Sequence, residues 1–433
     1  MILGVRRHHV GPVAGAIVVI ALGAVGARAE PPRPALRAAS GEPVVAAYFF
    51  SRWWEPWRSG DDTVLADLAR LRGMGVNTIC LDHEPIQAFD GEWKFPERDH
   101  RLARQAGVGI IPWLELKCGA DMSVHHQEIE QRYGIIIPRG EDREGNPANV
   151  RLHRPEYRDA LATYVLDYLG RFLKDGAILR VMDGERARPV ISLTVETGWD
   201  GASFDEETNA LFRKWLRERY TDVVGVNRAW GTSYRSVDEI DPREERRFPY
   251  PRAVELVQSG EVPAALADHV LFRAELINDA LAAVRDMVRR EHPSLLFLAE
   301  VPYTFSSQHP HAIGHRYGAA MLPEAVAYAD IVMFRTVDPQ LSEAELRDLA
   351  MLAARGQRTI LCHRTYSATT FETAAVRAVV ARQAAQDADG LGYYSWNEMV
   401  DVHIARREDT DQSVEYITSI NSKYRELAGP ESH

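Results

Sequence analysis

The sequence predicts an α/β fold: a single (β/α)8 TIM barrel with long loop insertions after strands 3 and 4. Three observations carry this. Eight short apolar runs recur along the 433 residues, hydrophobic on both faces as strands buried in a parallel sheet are. Amphipathic helical stretches alternate with them, which implies parallel strands joined by crossovers. No GxGxxG or P-loop follows any run, which argues against a doubly wound nucleotide-binding sheet.

Residues 1–29 read as an export signal. Arg6, Arg7, His8 and His9 give a polar, basic start, Val10–Gly26 is apolar and small, and Ala27-Arg28-Ala29 is an A-x-A site. The expected location is therefore periplasmic or secreted, with an uncleaved anchor as the alternative. Cleavage would leave 433 − 29 = 404 residues. Residues 30–43, rich in Pro and Ala, read as a linker, and residues 44–433 as one barrel domain.

Strand 1 is expected at Val44–Phe50, with Arg52, Trp53, Trp54 and Trp57 beyond it. A helix from Asp61 or Asp62 buries Val64, Leu65, Leu68 and Leu71, and Gly73 and Gly75 end it. Strand 2 is Val76–Leu81, ending in Asp82, His83 and Glu84. A short helix near Glu97–Gln105 leads to strand 3, Val108–Leu114, whose end holds Trp113, Glu115 and Lys117. The polar stretch Cys118–Arg154 is too long for a simple connector. Tyr157–Phe172 has a strong helical stripe and precedes strand 4, Val190–Val195, which ends on Glu196.

Gly198, Trp199, Asp200 and Gly201 then turn the chain, and Ser203 with Glu206 reads as a capping box. The new helix carries Leu211, Phe212, Trp215 and Leu216. Trp215 and Trp230 fall at packing positions, and prolines mark residues 241–262 as a loop. Helix 264–290 leads to strand 5, Leu295–Ala299, ending in Glu300 and Tyr303. Strand 6, Ile331–Phe334, ends in Arg335, and Ser342 with Glu345 makes a second capping box. Strand 7, Thr359–Cys362, ends in His363, Arg364 and Tyr366. Helix 371–386 precedes strand 8, Leu391–Ser395, which ends in Trp396, Asn397 and Glu398. A last helix runs near Asp411–Leu427.

Composition removes several functions. A net charge of −11, with no basic stripe, argues against a nucleic-acid partner. No second long apolar run appears, so no membrane span is expected in the mature chain. Cys80, Cys118 and Cys362 are too few and too far apart for a disulfide framework or a cysteine zinc site; Cys80 and Cys362 read as core. His309, His311 and His315 have a spacing that can hold a metal but sit in a Ser- and Pro-rich stretch. No metal or cofactor is expected.

In a barrel of this kind the carboxyl ends of the strands share one face, and chemistry sits there. The sequence places Asp82, Glu84, Glu115, Glu196, Glu300 and Glu398 on that face, among Trp53, Trp54, Trp113, Trp199, Tyr303, Tyr366 and Trp396. Carboxylates among aromatic rings suit carbohydrate, whose C–H faces stack on rings and whose hydroxyls need polar partners. Two carboxyl groups flanking a glycosidic bond are the usual hydrolytic machinery. Arg52, Lys117, Arg335 and Arg364 add cations, which either neutralise neighbouring carboxylates or recognise an acidic sugar.

The stretch FRKWLRERY, followed by VNRAWGTSY and DEI, resembles the glycoside hydrolase family 42 β-galactosidases, members of the clan A barrel hydrolases. The resemblance implies an acid/base Glu at the end of strand 4, just ahead of this helix, and Glu196 occupies that place. The family has Asn before that Glu, whereas this chain has Val195. The family nucleophile ends strand 7, where this chain has His363 and Arg364. Glu300 on strand 5 is the replacement expected as the second catalytic carboxylate.

The expected function is that of an exported glycoside hydrolase cleaving glycosidic bonds in a polysaccharide or oligosaccharide, acidic if the cations contact it. The expected catalytic pair is Glu196 and Glu300. Trp54, Asp82, Trp113, Glu115, Trp199, Tyr303, Arg335, His363, Arg364, Trp396 and Glu398 are expected to bind substrate. The alternatives are a non-catalytic carbohydrate-binding barrel and a metal-dependent hydrolase.

Overall fold

The computed structural model describes residues 34–49, 60–83, 85, 89, 92–115, 123–194, 203–308, 322–336, 338–364, 371–395 and 407–429. Eight parallel strands form the barrel: β1 (Val45–Phe49), β2 (Thr78–Asp82), β3 (Gly109–Glu115), β4 (Arg186–Thr194), β5 (Leu296–Val301), β6 (Ile331–Thr336), β7 (Arg358–Arg364) and β8 (Gly390–Tyr394). Each pairs with its sequence neighbours, and β1 pairs with β8, so the sheet closes without an edge. All eight strands fall where the apolar runs predict them, within two residues at most ends and four at the start of β4. A short antiparallel strand, Arg180–Asp183, adds a hairpin to β4.

The register fixes the barrel's geometry. From Tyr48 the pairings run through Cys80, Ile111, Val190 and Leu296. Continued at the same offsets through β6, β7 and β8, they return to position 40, a shear of 48 − 40 = 8. Eight strands with a shear of eight fill their lumen with layers of four side chains from alternate strands. Ala46, Cys80, Ile111, Val190, Leu298, Met333, Ile360 and Cys362 form that lumen cluster. Strand β8 sends Gly390 and Gly392 inward; a Cβ at Gly390 would lie 3.1 Å from Ile360, so β7 side chains use that space.

The helices form the outer ring. Helix α1 (Asp61–Gly73) follows β1, and α2 (Lys94–Ala106) precedes β3. The stretch after β3 holds α3 (Ser123–Tyr133), a hairpin of Arg139–Glu141 with Pro147–Val150, and α4 (Pro155–Phe172). After β4 come α5 (Glu206–Tyr220), α6 (Val223–Trp230), α7 (Ala253–Ser259) and the long α8 (Ala264–Glu291). Helices α9 (Glu343–Ala354), α10 (Ala374–Gln386) and α11 (Arg407–Ala428) complete the ring. None of the helices among the described residues is long and apolar enough to cross a membrane.

Three local expectations need correction. Residues 34–43 do not trail as a linker: Leu36 and Ala38 are buried in the lumen cluster with Leu179 and Val181 and stopper its amino end. The segment places its buried side chains, Ala35, Leu36 and Ala38, between two prolines, which composition alone reads as linker. Helix α5 is capped by Asp205, which accepts from the Glu207 and Thr208 amides, while Ser203 bonds to Asp205. Both residues are good caps, and the backbone chose the later one. Residues 241–262, expected as loop, contain the turn Tyr250–Arg252 and the helix α7. The second capping box, Ser342 with Glu345, forms as expected.

Candidate active site

Strand parity decides which side chains reach the mouth. One lumen layer near the carboxyl ends consists of Tyr48, Trp113, Glu300 and Cys362, from the odd strands. The next, one step nearer the mouth, consists of Asp82, Thr194, Arg335 and Tyr394, from the even strands. The Arg335 guanidinium is ion-paired with Glu300. The Glu300 side chain is only 3% exposed and that of Arg335 11%, so the arginine is the more accessible partner.

Aromatic rings hold this pair. The Arg335 guanidinium lies 4.4 Å from the Tyr394 ring centre and 5.7 Å from that of Tyr48. Tyr48 packs edge-on against Trp113 at 5.7 Å and against Tyr394 at 5.0 Å. Burial alone would lower the pKa of Arg335, but Glu300, Tyr48 and Tyr394 together outweigh it and hold the guanidinium protonated. Burial, with Glu300 nearby, pushes the Tyr48 phenol well above its usual value, so it stays neutral. The buried Cys80 and Cys362 thiols are likewise raised and inert as nucleophiles.

Arg364, at the end of β7, extends the stack. Its guanidinium lies 5.1 Å from the Tyr394 ring and 5.2 Å from the Tyr303 ring, and Nη1 donates to the Tyr303 hydroxyl at 3.1 Å. On the opposite side Asp82 and Trp113 are paired across β2 and β3. Trp113 Nε1 and Ser192 Oγ are buried donors with no hydrogen-bond partner among the described residues, and they sit beside each other across β3 and β4. The sequence therefore brings Asp82, Trp113, Glu300, Tyr303, Arg335 and Arg364 to one end of the barrel.

His363 does not join them. Leu361 packs in the outer core and Cys362 in the lumen, so period-two alternation turns His363 outward, against Phe371. Neither ring nitrogen has a hydrogen-bond partner among the described residues, and burial lowers its pKa to about 4. That parity sets His363 apart from the other expected binding residues at the end of the barrel.

Glu115 ends β3, and its side chain lies outside the described residues, as do Trp54, Glu196, Trp199, Trp396 and Glu398. Cys118 and the His309, His311 and His315 cluster lie outside them too. Among the described residues no group of His, Cys, Asp and Glu is placed to hold a metal.

A polar network supports the β2 end from outside. His83 Nε2 contacts Asp99 Oδ2 at 3.0 Å, and His83 Nδ1 contacts the Tyr168 hydroxyl at 2.6 Å. That hydroxyl also meets His100 Nε2 at 2.7 Å, and Tyr164 donates to the His83 carbonyl. Helices α2 and α4 are thereby tied to the residue after Asp82.

Sequence reasoning missed Tyr48, Ser192 and Tyr394. Each sits at an inward position of an apolar run, where a polar atom reads as incidental. The signal was positional: polar side chains at inward positions near the carboxyl ends of the strands.

Residues 188–311 match the family model for glycoside hydrolase family 42, β-galactosidase. That segment contains β5 and nearly all of β4. It extends the resemblance read from the FRKWLRERY stretch to the strand that carries Glu300. Solved structures agree on the fold. The cold-adapted β-galactosidase from Rahnella sp. R3 is 15% identical with a TM-score of 0.57, over 92% of this chain and 58% of that one. A catalytic mutant of a family 42 β-galactosidase from G. stearothermophilus is 13% identical with a TM-score of 0.57, over 93% and 59%. The catalytic domain of a Paenibacillus polymyxa β-amylase is 13% identical with a TM-score of 0.56, over 87% and 98%. The chain spans less than two thirds of the length of those two β-galactosidases. The family segment supports glycosidic-bond hydrolysis, and the solved structures support the barrel fold.

Proposed function

We propose that this chain is an exported glycoside hydrolase acting on a polysaccharide or oligosaccharide, with Glu196 as general acid/base and Glu300 as the second carboxylate. The observation that carries the reading is the family segment itself. It spans β4 and β5, whose carboxyl ends precede Glu196 and hold Glu300, in a mouth lined by aromatic rings and charged groups. Glu196 follows Thr194, the last residue of β4, by two positions in the sequence. Arg335 sets a positive charge against the Glu300 carboxylate at the mouth. The start of the sequence, with its basic residues, apolar run and A-x-A site, supports export.

One observation favours a second reading, a non-catalytic carbohydrate-binding barrel. Strand β7 carries no carboxylate, and Glu300 is engaged by Arg335. A hydrolysis screen on neutral and acidic polysaccharides separates the two. The wild type should release reducing ends, and Glu196→Gln, which keeps shape but removes the proton donor, should lose roughly 10²–10⁴-fold in rate. Wild-type turnover in that variant sinks the assignment of Glu196. Binding without hydrolysis in the wild type supports the second reading.

A further inference from the structure

We propose that the buried cluster of His83, Asp99, Tyr168, His100 and Asp175 holds one proton beyond those of neutral rings, and that this proton locks the end of β2, which carries Asp82, to α2 and α4. The inference concerns the wall behind the candidate site and does not depend on which glycan is cleaved.

The proton count comes from geometry. His83 Nε2 lies 3.0 Å from Asp99 Oδ2, and His83 Nδ1 lies 2.6 Å from the Tyr168 hydroxyl. That hydroxyl lies 2.7 Å from His100 Nε2, and His100 Nδ1 lies 2.7 Å from Asp175 Oδ2. Bare lone pairs repel at such distances, so each of these four contacts needs a hydrogen between its atoms. Two neutral imidazoles and one phenol supply only about three. Tyr168 stays a phenol, because burial pushes its pKa well above the usual value. A fourth hydrogen is therefore required, wherever along the contacts it rests.

Its place follows from the two ends. Burial lowers the pKa of His100 more than Asp175 raises it, so that ring is neutral and its hydrogen is on Nδ1. Tyr168 then donates to His100 Nε2, and His83 Nδ1 donates to Tyr168. The fourth hydrogen falls between His83 Nε2 and Asp99, whose side chains are 0% and 1% exposed. With it, the two form a pair of zero net charge, whichever of them holds the hydrogen. Asp175 has Arg104 at 3.5 Å as its own counter-charge. Tyr164 also faces the cluster from α4, and Arg132 and Arg171 lie over the Trp93 ring behind it. The side chain of Glu84 lies outside the described residues.

The cluster grips β2 just past Asp82. Tyr164 donates to the His83 carbonyl, and the His83 amide donates to the Trp113 carbonyl at 3.1 Å. Asp99 and His100 belong to α2, and Tyr164 and Tyr168 to α4. Without the fourth hydrogen, one contact turns into a repulsion between lone pairs in a site closed to water.

Ring-nitrogen NMR of the histidine-labelled wild-type chain reads the proton directly, at about pH 7.5, where roughly nine tenths of free imidazole is neutral. His83 Nδ1 should carry a hydrogen, and a bare acceptor nitrogen there overturns the proposal. This measurement needs no variant, so it decides even where a substitution prevents folding. Asp99→Asn offers His83 Nε2 an amide donor that does not titrate. The folded wild type keeps a proton that the unfolded chain releases near pH 6.5, so this stabilisation is full below that pH and is lost as pH rises. Above about pH 7.5 the wild-type folding constant should therefore fall about tenfold more per pH unit than that of Asp99→Asn. Equal slopes overturn the count. Tyr168→Phe removes two of the four contacts. Amide exchange should then quicken roughly tenfold or more at the β2–β3 end relative to β6. Uniform quickening across the strands overturns the lock.

Discussion

The buried pair of Glu300 and Arg335 allows an unequal outcome to be worked out. Replacing Arg335 by Met deprives a carboxylate that is 3% exposed of its ion-pair partner. Removing one member of a buried pair costs about 3–5 kcal/mol. Unfolding entropy of about 2.1 cal/mol/K per residue, over roughly 400 residues, is about 0.8 kcal/mol per degree. The melting temperature of Arg335→Met should therefore drop by about 4–6 °C. Glu300→Gln should cost less. Its guanidinium partner keeps two aromatic rings, at 4.4 and 5.7 Å, and is itself more exposed. Desolvated cation–π contacts of about 2 kcal/mol offset part of the loss. The double variant should be less destabilised than the two single losses added, with a coupling of about 1–3 kcal/mol. Calorimetric melts and denaturant titrations of the four proteins measure all of this. Additive losses, or a larger loss for Glu300→Gln than for Arg335→Met, would show that the pair does not hold the mouth together.

Two further outcomes follow from other sites. His363 is buried and neutral, with its pKa lowered by burial to about 4 against about 6.5 in an unfolded chain. Its contribution is full above pH 6.5 and is lost as pH falls towards 4, by about 3 kcal/mol in all. Denaturant titrations between those values should show a slope that His363→Gln reduces, the buried His100 and His269 keeping their share, and an unchanged slope refutes the assignment. Ser342→Ala removes the cap of α9 and should cost about 1 kcal/mol, whereas Ser342→Asp should keep most of it; equal losses refute the capping role.

The barrel was legible because its strands are continuous apolar runs, and closure needs only their number and the helices between them. Val190–Val195 and Leu295–Ala299 carry that signal without help from their neighbours. Side-chain direction was less legible. His363 and Arg364 are adjacent in the sequence and both look like site residues, yet one faces the helices and the other the mouth. Only the register, through Cys362 in the lumen, separates them. Neutralising a neighbouring carboxylate, as Arg335 does with Glu300, is one of the two roles its strand-end position suggests. The rings that clamp it were not, because Tyr48 and Tyr394 read as ordinary strand residues. The floor formed by residues 34–43 was illegible for a different reason. Its buried apolar side chains, Ala35, Leu36 and Ala38, make no periodic pattern.

That floor decides how the molecule would stand on a surface. Arg37 donates to the carbonyls of Ala428 and Gly429, and the Leu36 amide donates to that of Asp389, so both ends of the described chain meet there. The carboxyl ends of all eight strands are on the opposite face. A tether joined at residue 34 or at residue 429 starts from the underside of the barrel. Fixed that way to a bead, a neighbouring domain or a lipid surface, the barrel would stand with its opening turned outward. A polymer too large to diffuse between barrel and support could still thread across it.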